Sequence, residues 1–196
     1  MLKPTKEDIT RILANHRKHC IAESPQLKNA AVLIPLFLKN DEFHVLLMKR
    51  SDKVEYHKSQ ISFPGGGCDE SDVTMCATAL REAAEEVGLR PEDAEILGEL
   101  DDCLTITSGF RVVPFVAYIP YPYSFHPNTH EVAELLETPL SLFLDPANYA
   151  SRPVIYGNDF FIEYRDNLIW GATARMLWHF SELLREDAAG STLPKS

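Results

Sequence analysis

Three glutamates at helical spacing, Glu82, Glu85 and Glu86, form the feature of this sequence that most restricts its structure. Positions i, i+3 and i+4 of an α-helix lie on one face, so the three carboxylates are expected to converge. They stand just before Gly88, a residue type that commonly ends helices. The helix dipole disfavours negative charge at that end, and the like charges also repel one another. Because a divalent cation would offset both effects, the segment predicts a metal-binding helix.

The other side of this helix carries a stripe of small and apolar residues at a spacing that suits burial. Its members are Cys76, Leu80, Ala83, Ala84 and Val87. We expect the helix to span residues 73–87, with Asp72 as its N-cap. The glycine-rich run at 63–67 precedes it, and residues 50–72 are expected to form a long loop of the kind that is usually functional or mobile.

Composition restricts the class of protein. The chain has 196 residues, 45% of them hydrophobic, which is enough for one domain with a sizeable core. Its formal net charge of −10 argues against a nucleic-acid-binding surface or an anionic membrane patch, so we expect neither partner. The four cysteines show no zinc-ligand spacing, and the N-terminus does not resemble a signal peptide. A cytoplasmic protein is expected.

Hydrophobic periodicity and turn residues indicate mixed α/β structure. The expected helices lie at residues 5–18, 139–144 and 172–185, and the expected strands lie at 30–38, 43–48, 95–104, 111–119 and 160–164. Pro35 favours an edge position or a bulge for the first strand. We divide the chain into an N-terminal helix and linker (1–27), a main domain (28–186) and a disordered tail (187–196).

Residues 81–89 resemble the second half of the Nudix box, G-x5-E-x7-R-E-U-x-E-E-x-G-U, in which U is a bulky apolar residue. Two positions differ from this pattern. Ala83 fills the first U position, and Val73 occupies the place of the first glutamate, with Asp72 as the nearest acid. The resemblance implies a Nudix-type α/β/α sandwich around a mixed β-sheet, preceded by an N-terminal helix.

Upstream residues resemble the coenzyme A (CoA) pyrophosphatase branch of the family, whose pattern is LLTxRSx3Rx3Gx3FPGG. Residues 46–51 and 63–66 align with this pattern at the same spacing. Three positions differ: Met48 replaces a threonine, Glu55 an arginine and Ser59 a glycine. The exchange at Glu55 reverses a charge that could bind phosphate. The resemblance covers about residues 28–180.

The resemblance implies a role for each acidic residue of the site. Mg²⁺ or Mn²⁺ would be held by Glu82, Glu85, Glu86 and the carbonyl of Gly65, since hard cations prefer oxygen ligands. Arg81 would pair with a glutamate and fix its rotamer. A general base is expected in a downstream loop, with Glu131 as the first candidate; Glu134 and Glu82 are the alternatives.

Substrate phosphates are expected to contact the loop after the second strand. The candidates are Arg50, Lys53, His57, Lys58 and Ser62. A solvated loop is an equally weighted interpretation of the basic residues among them. Two simpler interpretations also stay open: Asp72 as a helix cap rather than a ligand, and residues 65–67 as a plain turn.

The expected reaction is metal-dependent hydrolysis of a nucleoside diphosphate linkage in a small molecule. CoA or a CoA derivative would give 3′,5′-ADP and a 4′-phosphopantetheine species. The alternatives are another diphosphate, such as NADH, ADP-ribose or a dinucleoside polyphosphate, and a non-catalytic nucleotide-binding module. A homodimer is also left open.

Overall fold

The computed structural model describes residues 3–53, 58–105, 108–154 and 157–190, without the side chains of residues 152–159. The helices in these ranges are α1 (Lys6–Asn15), α2 (Met75–Val87), α3 (Leu140–Leu144) and α4 (Gly171–Gly190). The strands are β1 (Lys28–Lys39), β2 (Glu42–Arg50), β3 (Ile61–Ser62), β4 (Gly65–Gly67), β5 (Glu95–Glu99), β6 (Cys103–Leu104), β7 (Phe110–Tyr118), β8 (Val132–Pro139), β9 (Ala150–Val154), β10 (Gly157–Tyr164) and β11 (Asn167–Trp170). Short 3₁₀ turns lie at Pro91–Asp93 and Pro146–Asn148.

The main sheet combines parallel and antiparallel strands. Its central order is β3-β2-β1-β7-β5, and β4, β6 and β8 pair with β1, β7 and β2 respectively. Strands β1 and β7 run parallel, from the pair Lys28–Phe110 to the pair Leu36–Tyr118. The other pairings of this sheet are antiparallel. A separate three-stranded antiparallel sheet, β11-β10-β9, precedes α4.

Helices cover both faces of the main sheet. Along β1, Ala31, Leu33 and Phe37 belong to the buried cluster that includes α2, whereas Ile34 and Leu36 belong to the cluster that includes α1, α3 and α4. This alternation follows from the two-residue period of a strand. The predicted α/β/α sandwich around a mixed sheet, with an N-terminal helix, is therefore confirmed.

The edge position predicted from Pro35 is wrong, because β1 has neighbours on both sides. Its antiparallel neighbour is β4 at residues 30–32 and β2 at residues 36–39. Pro35 lies between these two ladders, so its missing N–H removes a hydrogen bond from neither of them.

The ends of the chain differ from expectation in two ways. Helix α1 begins with a capping box formed by Thr5 and Asp8, but it ends at Asn15 rather than 18. Helix α4 continues to Gly190, and Asp187 pairs with Arg11 of α1 at 2.7 Å. Disorder starting at Asp187 is therefore wrong for residues 187–190; residues 191–196 lie outside the description.

Five strands of the described ranges were not predicted, namely β3, β4, β8, β9 and β11, and the first two of these lie within the loop expected at residues 50–72. The predicted strand 95–104 is two strands, β5 and β6, with Asp101 and Asp102 between them. These two carboxylates accept hydrogen bonds from the backbone N–H groups of His19 and Ile21, which anchors the N-terminal segment to the sheet. Within the described ranges, no helix is long and apolar enough to cross a membrane.

Candidate active site

Helix α2 starts two residues later than predicted, and its cap is a different residue. The hydroxyl of Thr74 accepts a hydrogen bond from the N–H of Ala77 at 3.0 Å, so Thr74 is the N-cap and the assignment to Asp72 is wrong. The helix ends as predicted at Gly88, whose φ of 71° is the left-handed conformation that glycine adopts without strain.

Asp72 instead binds Arg81 through both carboxylate oxygens. Nε and Nη2 of Arg81 donate to Oδ1 and Oδ2, each at 3.0 Å, and the hydroxyl of Thr78 donates to Oδ2 at 2.9 Å. The Arg81 guanidinium holds the pKa of the Asp72 carboxyl well below its usual range. Asp72 thus supplies a carboxylate partner for Arg81, although Val73 occupies the pattern position of the first glutamate.

The same guanidinium joins α2 to the glycine-rich strand. Nη1 of Arg81 donates to Glu82 at 2.9 Å and to Glu85 at 3.1 Å, while Nη2 donates to the carbonyl of Gly67 at 3.1 Å. A planar guanidinium can hold several acceptors in fixed directions. Arg81 therefore restricts the positions of two of the three glutamates.

Glu86 is almost completely buried, with 2% of its side chain exposed. Its carboxylate accepts a hydrogen bond from the N–H of Gly65 at 2.9 Å and lies 3.2 Å from Nη1 of Arg50. Burial raises the pKa of Glu86 to about 7, although the Gly65 and Arg50 contacts act in the opposite direction. The sequence placed the glutamates on the face of α2 opposite the buried stripe. That prediction is wrong for Glu86, because its side chain is buried.

Glu82 packs directly against the backbone of Gly66. A Cβ atom at Gly66 would lie 2.5 Å from Cδ of Glu82, so only glycine leaves room for the carboxylate there. Burial raises the pKa of Glu82 above its ordinary value. Glu85, with 57% of its side chain exposed, is the most accessible of the three glutamates.

Glu131 lies beside this cluster on a segment that is attached to the end of α2. The N–H groups of His126 and Asn128 donate to the carbonyls of Val87 and Glu86 at 3.0 and 2.9 Å, which satisfies two carbonyls of the helix end. Asn128 Nδ2 donates to Oε1 of Glu131 at 3.1 Å. The charge of Glu131 contributes to the raised pKa of both Glu82 and Glu86.

The donor chemistry of the cluster fits a divalent cation. Carboxylates from Glu82, Glu85, Glu86 and Glu131 exceed the positive charge of Arg50 and Arg81, and oxygen donors suit Mg²⁺ or Mn²⁺. The glutamates are not compact, however. Within the described ranges, the one trio of ligand atoms that lie within 4.8 Å of one another belongs to His16, Asp101 and His179. The suitability of the α2 glutamates for a divalent cation therefore rests on their charge and on their oxygen donors.

The structure places the expected phosphate-binding residues in different surroundings. Arg50 faces Glu86 instead of open solvent. Ser62 lies on β3 opposite Met48, and its hydroxyl is buried without a hydrogen-bond partner in the described part of the chain. Lys53 and Lys58 are exposed on either side of residues 54–57. His57 lies outside the described residues, as does Glu55.

Two of the three departures from the upstream pattern have a structural explanation. Met48 is fully buried in the cluster between the sheet and α2, so its side chain packs the core. Ser59 has a φ of 56°, so it keeps the left-handed conformation that suits the glycine it replaces. Its N–H donates to the carbonyl of Arg50 at 3.1 Å, which helps to close the loop between β2 and β3.

Sequence comparison with known proteins identifies a family. Residues 27–155 match the NUDIX domain family. The uncharacterized Nudix hydrolase NudL of Photorhabdus laumondii is 37% identical over 159 residues, covering 79% of this chain and 84% of the relative. The protein of the same name from Yersinia pestis is also 37% identical over 159 residues, covering 79% of each chain.

Structure comparison agrees at the level of fold. The crystal structure of a Caenorhabditis elegans Ap4A hydrolase binary complex superposes with a TM-score of 0.54 at 18% identity, covering 84% of this chain and 98% of the other. At that identity the similarity concerns the fold alone.

Proposed function

This chain belongs to the Nudix hydrolase family, and we propose that it hydrolyses the diphosphate linkage of CoA or a CoA derivative with the help of Mg²⁺ or Mn²⁺. The observation that carries the proposal is the set of carboxylates from Glu82, Glu86 and Glu131, whose charges interact beside the glycine-rich strand. Two of these carboxyls have raised pKa values. Such perturbed groups concentrate at functional sites.

The cation would be held by Glu82, Glu85 and Glu86, with the carbonyl of Gly65 as a further oxygen donor. When bound, it would neutralise phosphate oxygens and make a bound water more acidic. Arg81 would keep Glu82 and Glu85 in place through the hydrogen bonds of its Nη1 atom. This positioning role does not require Arg81 to touch the substrate.

Glu131 would take the proton from the attacking water. Asn128 orients its carboxylate, and the N–H of Ser51 donates to its backbone carbonyl at 2.8 Å, so the residue is held between β2 and the end of α2. Glu134, the alternative, is exposed on β8 opposite Lys49. Glu82 is less suited to the role, since Arg81 occupies one of its oxygens.

The preference for CoA rests on the upstream pattern, 46–51 and 63–66. Met48 and Ser59 depart from that pattern without removing a charged group, and both fit their positions in the fold. Arg50 ends β2 and Ser62 lies on β3, so the strands that carry these two residues flank the loop.

Glu55 favours a second candidate, a different diphosphate such as NADH, ADP-ribose or a dinucleoside polyphosphate. A glutamate would repel the phosphate that an arginine at this position would attract. A non-catalytic nucleotide-binding module is the third possibility, and the retained acidic cluster on α2 argues against it. A cytoplasmic location, which the four free cysteines suit, and a homodimer remain predictions.

A substrate panel tests the proposal. Values of kcat/KM would be measured with Mg²⁺ and with Mn²⁺ for CoA, acyl-CoAs, NADH, ADP-ribose and dinucleoside polyphosphates. CoA species should rank first. A higher value for any other member would assign the chain to the second candidate, and binding without turnover across the panel would assign it to the third.

The Glu55→Arg variant, measured with the same substrates, tests whether the glutamate at position 55 changes substrate preference. Restoring the arginine should lower KM for CoA, because it adds a cation where the pattern has one. An unchanged ranking and unchanged KM would mean that residue 55 does not contribute to substrate choice.

A further inference from the structure

A second group of potential metal ligands lies between the two helices that flank the Nudix domain. His16 follows the end of α1, Asp101 lies between β5 and β6, and His179 lies on α4. Nε2 of His16 donates to Oδ1 of Asp101 at 2.7 Å, and Nε2 of His179 is 3.5 Å from Oδ2. The imidazole ring centroids are 5.3 Å apart.

One nitrogen of this group is unsatisfied. Nε2 of His179 is buried and has no hydrogen-bond partner in the described part of the chain. A buried polar atom without a partner is costly, and such an atom often indicates an ion or a water that completes the site. It lies toward Asp101, the residue that also contacts His16.

The charges around the trio also suit a cation. Neighbouring Asp102 is neutralised by Arg111 at 2.7 Å and by Lys18 at 3.1 Å. Asp101 has no lysine or arginine ion pair among the described residues; its carboxylate contacts there are the two imidazoles and the backbone N–H of His19. The negative charge of Asp101 is therefore available to a ligand that both imidazoles can share.

We propose that His16, Asp101 and His179 form a binding site for a transition-metal cation of the Zn²⁺ or Co²⁺ type. Two imidazole nitrogens and one carboxylate oxygen are the ligands such ions take in three-residue sites that leave a position open. Imidazole donors distinguish this site from the all-oxygen cluster on α2, which suits Mg²⁺ or Mn²⁺.

The geometry requires small movements for binding. Ligand atoms around a tetrahedral Zn²⁺ are roughly 3.3 Å apart, given metal–ligand distances near 2.0–2.1 Å. The observed 2.7 and 3.5 Å contacts bracket that separation. A pocket of about 250 Å³, lined in part by Asp101 and His179, leaves room for water as the remaining ligand.

Binding here would connect three parts of the molecule. His16 belongs to the N-terminal segment and His179 to α4, both outside the matched family region at residues 27–155, whereas Asp101 belongs to that region. The cation would therefore fix both flanking helices to the Nudix domain. It would raise thermal stability without contacting the proposed catalytic cluster.

Titration of the untagged protein with Co²⁺, in excess Mg²⁺, tests the proposal through the visible absorption of the bound ion. An E82Q/E86Q background removes two donors of the other site. In that background one Co²⁺ should still bind, and Zn²⁺ should displace it. H16Q and H179Q should each weaken binding at least about tenfold, since even partners outside the ligand set can matter by that factor.

H19Q is the matched control, because His19 is exposed and contacts Asp101 only through its backbone N–H among the described contacts. It should bind Co²⁺ like the parent protein. The imidazole NMR resonances of the parent protein give a second readout, which does not depend on whether a variant folds. Zn²⁺ should shift the resonances of His16 and His179. Equal binding by the parent and by H16Q/H179Q, or no shift of either imidazole, would overturn the proposal.

Discussion

The buried carboxylate of Glu86 accepts a hydrogen bond of 2.9 Å from the backbone N–H of Gly65. This contact joins the end of α2 to the glycine-rich strand β4. It also places a carboxyl with a pKa of about 7 among other acidic groups. Without a cation, the buried and ionised carboxylate of Glu86 therefore lowers the stability of the folded state.

Replacing Glu86 in the absence of metal should remove this pH-dependent loss of stability. The pKa of Glu86 is raised from 4.5 to about 7, so the folded state holds more protons than the unfolded state between these values. Stability should then fall as the pH rises through this window, by up to about 3 kcal/mol. In EDTA, E86Q should unfold at a higher temperature than the parent at pH 8, with the difference shrinking toward pH 4.5.

The control for this experiment is E85Q, because Glu85 is largely exposed. It should show no comparable pH-dependent gain in melting temperature. Mg²⁺ should stabilise the parent protein more than it stabilises E86Q. A pH-independent difference between E86Q and the parent would contradict the assigned cause.

Gly66 offers a way to move Glu82 without replacing it. The Cβ of G66A would come within 2.5 Å of Glu82 Cδ, the far end of a flexible side chain, so the carboxylate should shift while the backbone stays. A displacement of about 1 Å can lower turnover about 10²-fold. We expect that loss in kcat, with a melting temperature near that of the parent.

G67A is the matched control. A Cβ at Gly67 would meet only Cε1 of Phe110, at an ordinary contact distance of 3.8 Å. Its turnover and melting temperature should both stay close to the parent values. If G66A and G67A had equal activity, the position of the Glu82 carboxylate would not matter for turnover.

Glu→Gln substitutions distinguish the two candidate general bases, Glu131 and Glu134. Removing a general base usually lowers the rate about 10²–10⁴-fold, so E131Q should lose kcat on that scale. E134Q should retain most activity, because Glu134 is exposed on β8. Steady-state kinetics with saturating Mg²⁺ would measure both. The reverse order would assign the role to Glu134.

Glycine at position 59 should leave the protein more stable than alanine at the same position. The φ of 56° at Ser59 is unfavourable for any residue with a Cβ, and the Ser59 hydroxyl donates to Asp52. Both S59A and S59G lose this hydrogen bond, but S59A keeps the backbone strain whereas S59G relieves it. Urea unfolding should therefore place S59G above S59A by about 1 kcal/mol. Equal stabilities would mean that the loop relaxes away from this conformation.

The sequence predicted elements whose signal is local. The spacing of residues 81–89 and the glycine at position 88 specified the end of α2, and apolar runs specified β1, β2 and β7. Strand β8 was missed because its burial depends on pairing with β2, which is distant in sequence. Pro35 was assigned to an edge or a bulge because the change of ladder partner along β1 cannot be read from one strand.

The sequence predicted which residue types form the candidate active site better than it predicted their burial and their contacts. The burial of Glu86 could not be read from helical periodicity, since it depends on β4 covering that side of α2. The pairing of Asp72 with Arg81 had a sequence signal, an acid nine residues before the arginine, but the capping preference of aspartate was the more familiar interpretation. The His16–Asp101–His179 group had none, because its members are 85 and 78 residues apart in sequence.

The most direct test of the central claim is analysis of the products formed from CoA with Mg²⁺. The account predicts equal amounts of 3′,5′-ADP and 4′-phosphopantetheine, formation that stops in EDTA, and a rate in E82Q lower by at least about 10²-fold. Intact CoA after prolonged incubation with folded protein and Mg²⁺ would contradict it, as would cleavage that is equally fast in EDTA.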